Sequence, residues 1–254
     1  MGRVPIKSPR EITLMRESGR IVAEVLALVG TRIGPGVRTK DLDTFAEDYI
    51  RSKGAVPAFK GYGHDRNNLF PGTLCVSIDD EVVHGIPDGR VLEEGQIVSI
   101  DVGVRKNGYF GDGARTFAVG SVSGEKNRLL KATEESLYKG IEQAWSGKHL
   151  HDVSHAVQER AEQEGFAVVR DLVGHGVGTN LHEEPAVPNF GTAGTGIVLK
   201  EGMVLAIEPM VNAGTHRVQM GEDGWTVRTA DGKPSAHFEH TVLITSGEAE
   251  ILTR

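Results

Sequence analysis

The chain has 254 residues, 39% hydrophobic and 25% charged, with a formal net charge of −7. That composition suits a globular protein with a sizeable core, and mild acidity without a basic run argues against a nucleic-acid footprint. A single cysteine, Cys75, excludes an internal disulfide and fits a reducing compartment. The start, Met1-Gly2-Arg3-Val4-Pro5, lacks the apolar core of a signal peptide, and the longest apolar stretch, 21–29, is broken by Glu24 and too short to span a bilayer.

Ser8-Pro9-Arg10-Glu11 offers a capping Ser, a Pro suited to the first helical position and a Glu three residues after the cap. A helix is expected over 9–29, with Ile12, Met15, Gly19, Val22, Leu26 and Val29 at helical spacing. Gly34-Pro35-Gly36 breaks the chain. Leu42, Phe45, Ala46, Tyr49 and Ile50 then share one face of a second helix, 39–53, stopped at Gly54. From 55 to 74 the Pro-, Gly- and Asn-rich, aromatic sequence reads as a long loop, and such loops are commonly functional. A strand over 75–84 leads into His84-Gly85-Ile86-Pro87, and two β-prone runs follow around Asn107-Gly108, a strong signal for a two-residue hairpin turn. Two further helices are expected, 125–145 with Leu130, Leu137, Ile141 and Ala144 inward, and 151–164 with Val153, Val157 and Ala161. A strand over 166–173 ends in Gly174-His175-Gly176-Val177-Gly178, a loop reaches Glu201-Gly202, and a strand over 203–210 carries Glu208. The last strands hold Trp225 and His237-Phe238-Glu239-His240-Thr241.

With Asn107-Gly108 as the loop, Lys106 faces Tyr109 and Gly103 faces Asp112. Asp101 then points to the same sheet face as Gly103, so Asp101 and Asp112 are diagonal neighbours, roughly 6–8 Å apart at Cβ. Asp is depleted in strands, so two on one face of an apolar hairpin need a reason. The chain also echoes itself. A His-Gly turn, at His84-Gly85 and again at His175-Gly176, precedes a strand that opens on Glu-Gly and ends on a carboxylate, Asp101 in one half and Glu208 in the other. A helix pair precedes each. This implies an α+β fold of duplicated αα-β halves, about 9–120 and 121–245, related by a pseudo-twofold axis. A curved, mostly antiparallel sheet would carry helices on one face.

Asp101, Asp112, Glu208, Glu239 and His175 all sit in β-prone surroundings without matching Arg or Lys. Four carboxylates could not all stay ionised in one pocket unaided, and two divalent cations would offset them. Oxygen ligands with one imidazole suit Mn²⁺, Fe²⁺ or Co²⁺, with Zn²⁺ also compatible; such a pair polarises a carbonyl and generates a hydroxide nucleophile at neutral pH.

In these contexts, Gly-His-Gly-Val-Gly around His175, Ala-Ile-Glu-Pro around Glu208 and His-Phe-Glu-His-Thr around Glu239, the five residues resemble the metal ligands of the type I methionine aminopeptidases. The resemblance extends to Glu11-Ile12, Met15-Arg16 and Gly19-Arg20, to Pro35-Gly36-Val37 and to Val82-Val83-His84-Gly85-Ile86-Pro87, and so covers nearly the whole chain. It implies the pita-bread fold, in a single catalytic metallopeptidase domain over 1–254, and two divalent ions (Co, Mn, Fe or Zn). Asp101 would hold one ion, His175 and Glu208 the other, with Asp112 and Glu239 bridging. Glu208 would also relay a proton, while His84 and His182 would hold the substrate amide and its oxyanion. The implied methionine pocket is lined by Phe59, Tyr62, Cys75, Leu181 and Trp225, an apolar-aromatic slot suited to a thioether. Leu181 stands where an aromatic is common, which softens that wall. Loop 60–74, with His64-Asp65-Arg66-Asn67-Asn68, is longer than in the simplest bacterial members.

The implied activity is removal of the initiator methionine from nascent chains whose second residue is small. The setting would be cytoplasmic, with a monomer, transient ribosome association, and neither membrane nor specific nucleic-acid binding. The chain's own Met1-Gly2 fits that substrate rule. His64, His149, His151, His155, His216, His237 and His240 read as surface or structural residues. The wider pita-bread set includes Xaa-Pro exopeptidases and non-catalytic binding modules, and these are the rival readings. No Cys/His cluster marks a zinc-finger extension, and the interval from His175 to Glu208 is short for the helical insertion of type II enzymes.

Overall fold

A computed structural model describes residues 4–63 and 65–254; Met1-Gly2 and His64 lie outside the described residues. In chain order the elements are α1 (Pro9–Gly30), α2 (Thr39–Ser52), β1 (Val56–Pro57), β2 (Cys75–Ile78), β3 (Glu81–Val83), β4 (Ile97–Lys106), β5 (Tyr109–Ala118), α3 (Gly124–Ile141) and α4 (Leu150–Gln163). They continue as β6 (Ala167–Val168), β7 (Gly174–Gly176), β8 (Glu183–Val187), β9 (Val204–Ile207), β10 (Met210–Asn212), β11 (Val218–Met220), β12 (Val227–Thr229), β13 (Ser235–His237), β14 (His240–Leu243) and β15 (Glu250–Ile251).

The helix starts follow the capping chemistry. Ser8 Oγ accepts from the Glu11 N–H while the Glu11 side chain accepts from the Ser8 N–H, with Pro9 inside the first turn. The Asn107-Gly108 hairpin has the expected register, Lys106 opposite Tyr109 and Gly103 opposite Asp112. Both turn residues have positive φ, 51° and 86°, as a primed turn requires.

The strand pairings among the described residues are antiparallel. They form four hydrogen-bonded sheets rather than one. The two larger ones, β1-β4-β2 with β5 and β15-β14-β9-β7-β8, meet at the molecular centre. There the Glu239 N–H donates to the Ala114 carbonyl (2.9 Å). The Asp112 N–H donates to Thr241 Oγ1 (3.0 Å), whose own hydroxyl donates back to the Asp112 carbonyl (2.7 Å). Ile100, Val102 and Val104 of β4 pack in a core cluster with residues of α1 and α2; Leu205 and Ile207 of β9 pack in one with residues of α3 and α4. The intervening positions, Asp101 and Gly103, face away from those helices, as the period of two demands.

Several expected elements differ. The 55–74 loop begins with strand β1, paired through Val56 to Arg105. The single strand over 75–84 is instead β2 and β3 with a turn between them, where Asp79 takes φ 51°. The 166–173 strand shrinks to Ala167–Val168, and the following loop contains β8. The 203–210 strand breaks after Ile207, because Pro209 has no N–H to continue the ladder, and the chain switches sheets there. In α3 it is Leu129, not Leu130, that is fully buried; Leu130 lies at the core margin, and the helix ends at Ile141 rather than 145. No helix among the described residues is long and apolar enough to cross a membrane.

Candidate metal centre and substrate pocket

Asp101 and Asp112 enter the centre from β4 and β5. His175 comes from β7, which is held between β8 and β9. Its flanking glycines are required by that position: a Cβ at Gly174 would fall on the Ala206 carbonyl, and one at Gly176 on the Glu184 carbonyl. Glu208 occupies the break between β9 and β10, where its backbone carbonyl accepts from Asn189 Nδ2 (3.0 Å). Glu239 sits in the link from β13 to β14, pinned by its bond to Ala114.

His175 Nδ1 lies 2.9 Å from the Gly176 carbonyl, which can only accept, so Nδ1 carries the proton and Nε2 presents a lone pair. That lone pair faces Glu208 Oε1 at 3.5 Å and Asp112 Oδ2 at 3.8 Å. Three electron-rich atoms turned toward one another call for a cation between them. Ligand atoms of Asp112, His175 and Glu239 all lie within 4.8 Å of one another. Asp101 Oδ1 and Glu239 Oε1 are buried without a hydrogen-bond partner among the described residues, the condition a coordinated oxygen would resolve. The residues present therefore fit divalent ions.

The electrostatics agree. Burial, then repulsion from neighbouring carboxylates, holds Asp101, Glu208 and Glu239 well above the usual carboxyl range. Burial pushes Asp112 up to about 7. Burial, reinforced by the neighbouring His182, lowers both His84 and His175 to about 4, and burial lowers His182 as well. The imidazoles are thus neutral near pH 7.

Every residue expected at the site lines one cavity: Phe59, Tyr62, Cys75, His84, Asp101, Asp112, His175, Leu181, His182, Glu208, Trp225 and Glu239. Phe70, which the sequence reading did not single out as a wall, lines it too. Phe59, Phe70, Cys75 and Leu181 form one buried apolar cluster beside the carboxylates. His84 stands at φ 58°, an unusual backbone state for a non-glycine residue and one found often at functional sites. Its ring lies edge-on to Trp225 at 6.4 Å. Tyr62 Oη and His182 Nδ1 share a 2.7 Å hydrogen bond. The described part of loop 60–74 lies against the 221–226 turn: Trp225 Nε1 donates to the Asn68 carbonyl (3.1 Å) and Asn68 Nδ2 to the Asp223 carbonyl (3.2 Å).

His237, grouped above with surface or structural histidines, is 2% exposed and its Nε2 stands 3.7 Å from Glu208 Oε2. No spacing in the sequence marks it, because Glu239, two residues on, lies in the link beyond β13 where the strand period of two does not apply. His240 is half-buried, bonded to Thr253 Oγ1 (2.9 Å) and beside Tyr138.

Comparison with known proteins agrees with this geometry. The chain matches the model of metallopeptidase family M24 over residues 13–246. It is 53% identical over 248 residues to methionine aminopeptidase 1 of Bacillus subtilis (strain 168), 98% of each chain being covered. The crystal structure of methionine aminopeptidase from Thermotoga maritima superposes with a TM-score of 0.96 at 48% identity, covering 99% of this chain and 100% of that one. A more distant neighbour, the prolidase from Pyrococcus furiosus, gives a TM-score of 0.78 at 25% identity, over 98% of this chain and 65% of that one. The architecture is the pita-bread fold that these proteins share. The chain belongs to metallopeptidase family M24, a family of metal-dependent peptidases.

Proposed function

We propose that this chain removes the N-terminal methionine from peptides and nascent proteins whose second residue is small. The observation that carries the reading is the buried apolar slot of Phe59, Phe70, Cys75 and Leu181 abutting the carboxylate-imidazole cluster. A thioether side chain seated in that slot would place the first peptide bond beside the cluster. Asp101, Asp112, His175, Glu208 and Glu239 would hold two divalent ions, of Co, Mn, Fe or Zn. Bound there, the ions would supply a polarised carbonyl and a water of lowered pKa.

The remaining work belongs to side chains. His84 and His182, neutral at pH 7, offer N–H donors to the substrate carbonyl and its developing oxyanion. Glu208, beside both the cluster and the pocket, passes a proton to the leaving amine. Tyr62 and Trp225 close the slot against solvent. The same reading makes the chain one catalytic domain, a cytoplasmic monomer that meets its substrates at the ribosome.

The deciding assay is Met-Ala-Ser hydrolysis by metal-stripped protein titrated with Mn²⁺, Fe²⁺, Co²⁺ and Zn²⁺, beside Asp101→Asn. Free methionine should appear in proportion to added metal and disappear in the variant. Met-Gly and Met-Ala peptides should be cleaved well and Met-Leu peptides poorly; equal turnover of all three would remove the specificity claimed. Preference for Xaa-Pro peptides would reassign the chain to the exopeptidases of that kind.

A further inference from the structure

Glu208 stands between two imidazoles. His175 Nε2, with its lone pair, is 3.5 Å from Oε1, and His237 Nε2 is 3.7 Å from Oε2. The two nitrogens differ in surroundings. His175 faces three carboxylates and a cavity, whereas His237 Nε2 is buried with no hydrogen-bond partner among the described residues.

The backbone of His237 is held firmly. Its N–H donates to Thr116 Oγ1 (2.8 Å), the Thr116 hydroxyl lies 2.8 Å from its carbonyl, and Ser99 Oγ sits 2.8 Å from the same Thr116 oxygen. In β13 it pairs with Met210, two residues beyond Glu208. One clamped strand therefore presents a buried nitrogen to the outer oxygen of the carboxylate. A buried N–H left unpaired is unfavourable, and a buried lone pair facing a carboxylate oxygen would be worse. The arrangement is resolved if Nε2 carries the proton and donates to Oε2. Closing the gap takes about 0.8 Å, the difference between the observed separation and an ordinary N–H···O bond, which a small carboxylate rotation supplies.

We propose that His237 is a positioning residue for Glu208. It holds Oε2 from behind and so turns Oε1 toward the ligand cluster and the scissile bond. This rests on the reading of Glu208 as a proton relay. It adds a residue outside the set implied by resemblance and identifies the chemistry needed there, a fixed N–H donor.

The test compares His237→Leu, which removes the donor at similar size, with His237→Gln, which keeps an N–H. Three readouts are taken: kcat and KM on Met-Ala-Ser, the visible absorption of Co²⁺-loaded protein, and Tm of metal-stripped protein. His237→Leu should lower kcat about 10- to 100-fold with KM little changed, the range expected when a ligand loses its outer partner. Its Co²⁺ spectrum should shift, while Tm of the stripped protein holds or rises because an orphaned polar atom has been removed. His237→Gln should recover most of kcat and the spectrum. Full kcat and an unaltered spectrum in His237→Leu would overturn the proposal. So would equal losses of kcat and Tm in both variants, which would mark His237 as structural. If wild-type protein releases no methionine with any metal, the functional reading fails, and the Co²⁺ spectra still decide whether His237 orients Glu208.

Discussion

Lys7 offers a sharp test of how the substrate pocket is held. It lies ahead of the α1 cap, with its N–H donating to the Gly202 carbonyl (2.8 Å). Its Nζ is 2.5 Å from Glu183 Oε2, and the two side chains are only 6% and 8% exposed. Glu183 Oε1 also accepts from the Asn180 N–H (3.1 Å) and lies 3.4 Å from Thr179 Oγ1. The pair thus ties the N-terminal segment to the turn that carries Leu181 and His182. Replacing Lys7 by Met leaves the Glu183 carboxylate buried without its cation. Breaking such a pair on one side destabilises by about 3–5 kcal/mol, and the two local contacts that remain place this case near 3. At about 2–4 °C per kcal/mol for a chain of this size, Tm should fall by about 6–12 °C. The loosened turn should also raise KM for Met-Ala-Ser several-fold, since His182 and Leu181 would no longer be held in place. Replacing both partners, Lys7→Met with Glu183→Leu, should recover most of the lost Tm, because a well-packed apolar pair is close to neutral against a buried ion pair. Thermal denaturation of Lys7→Met, Glu183→Leu and the double variant in excess Mn²⁺ decides it. A double variant as unstable as the sum of the singles, or a Lys7→Met drop below about 2 °C, would refute the reasoning.

Removing the Tyr62 hydroxyl, Tyr62→Phe, deletes the 2.7 Å bond to His182 and should lower kcat/KM about 2- to 12-fold, the equivalent of about 0.5–1.5 kcal/mol, with Tm lowered by about 1–6 °C. An unchanged kcat/KM would show that His182 is oriented by other contacts. Metal-stripped protein should lose stability as pH rises from 6.5 to about 7. A carboxyl whose folded pKa exceeds its unfolded value keeps a proton that the unfolded chain has released, so stability falls with pH across that interval. Asp112 spans 3.8 to about 7, and Asp101, Glu208 and Glu239 also lie well above their ordinary values. His84 and His175, lowered from 6.5 to about 4, act in the opposite sense, adding stability with rising pH only up to about 6.5. Between that pH and about 7 Asp112 still loses its proton on unfolding. Tm measured between pH 6.5 and about 7 should slope downward in the stripped protein and flatten on Mn²⁺ loading; an upward slope in the stripped protein would contradict the account.

Much of this molecule is legible in local spacing. The Ser8-Pro9-Glu11 start, the Asn107-Gly108 turn and the register that sets Gly103 against Asp112 follow from short-range chemistry that a few residues specify. The repeated pattern of a His-Gly turn followed by a Glu-Gly strand brings the carboxylates into view because their residue type conflicts with the β-prone runs around them. What spacing could not supply is how separate segments meet. Whether Ala114 would bond Glu239, or Thr241 would bracket Asp112, depends on two sheets joining far apart in the chain. The break at Pro209, which sends β9 and β10 into different sheets, looks like one continuous strand in a linear reading. His237 shows the limit most clearly. Its neighbours in sequence mark it as an ordinary strand residue, and only the clamp from Thr116 and the approach of Glu208 reveal a buried nitrogen facing a carboxylate. Backbone propensity and turn chemistry are local and can be read from the chain in order. Burial and electrostatic environment are sums over residues distant in sequence, and they exist only once the sheets have closed around the site.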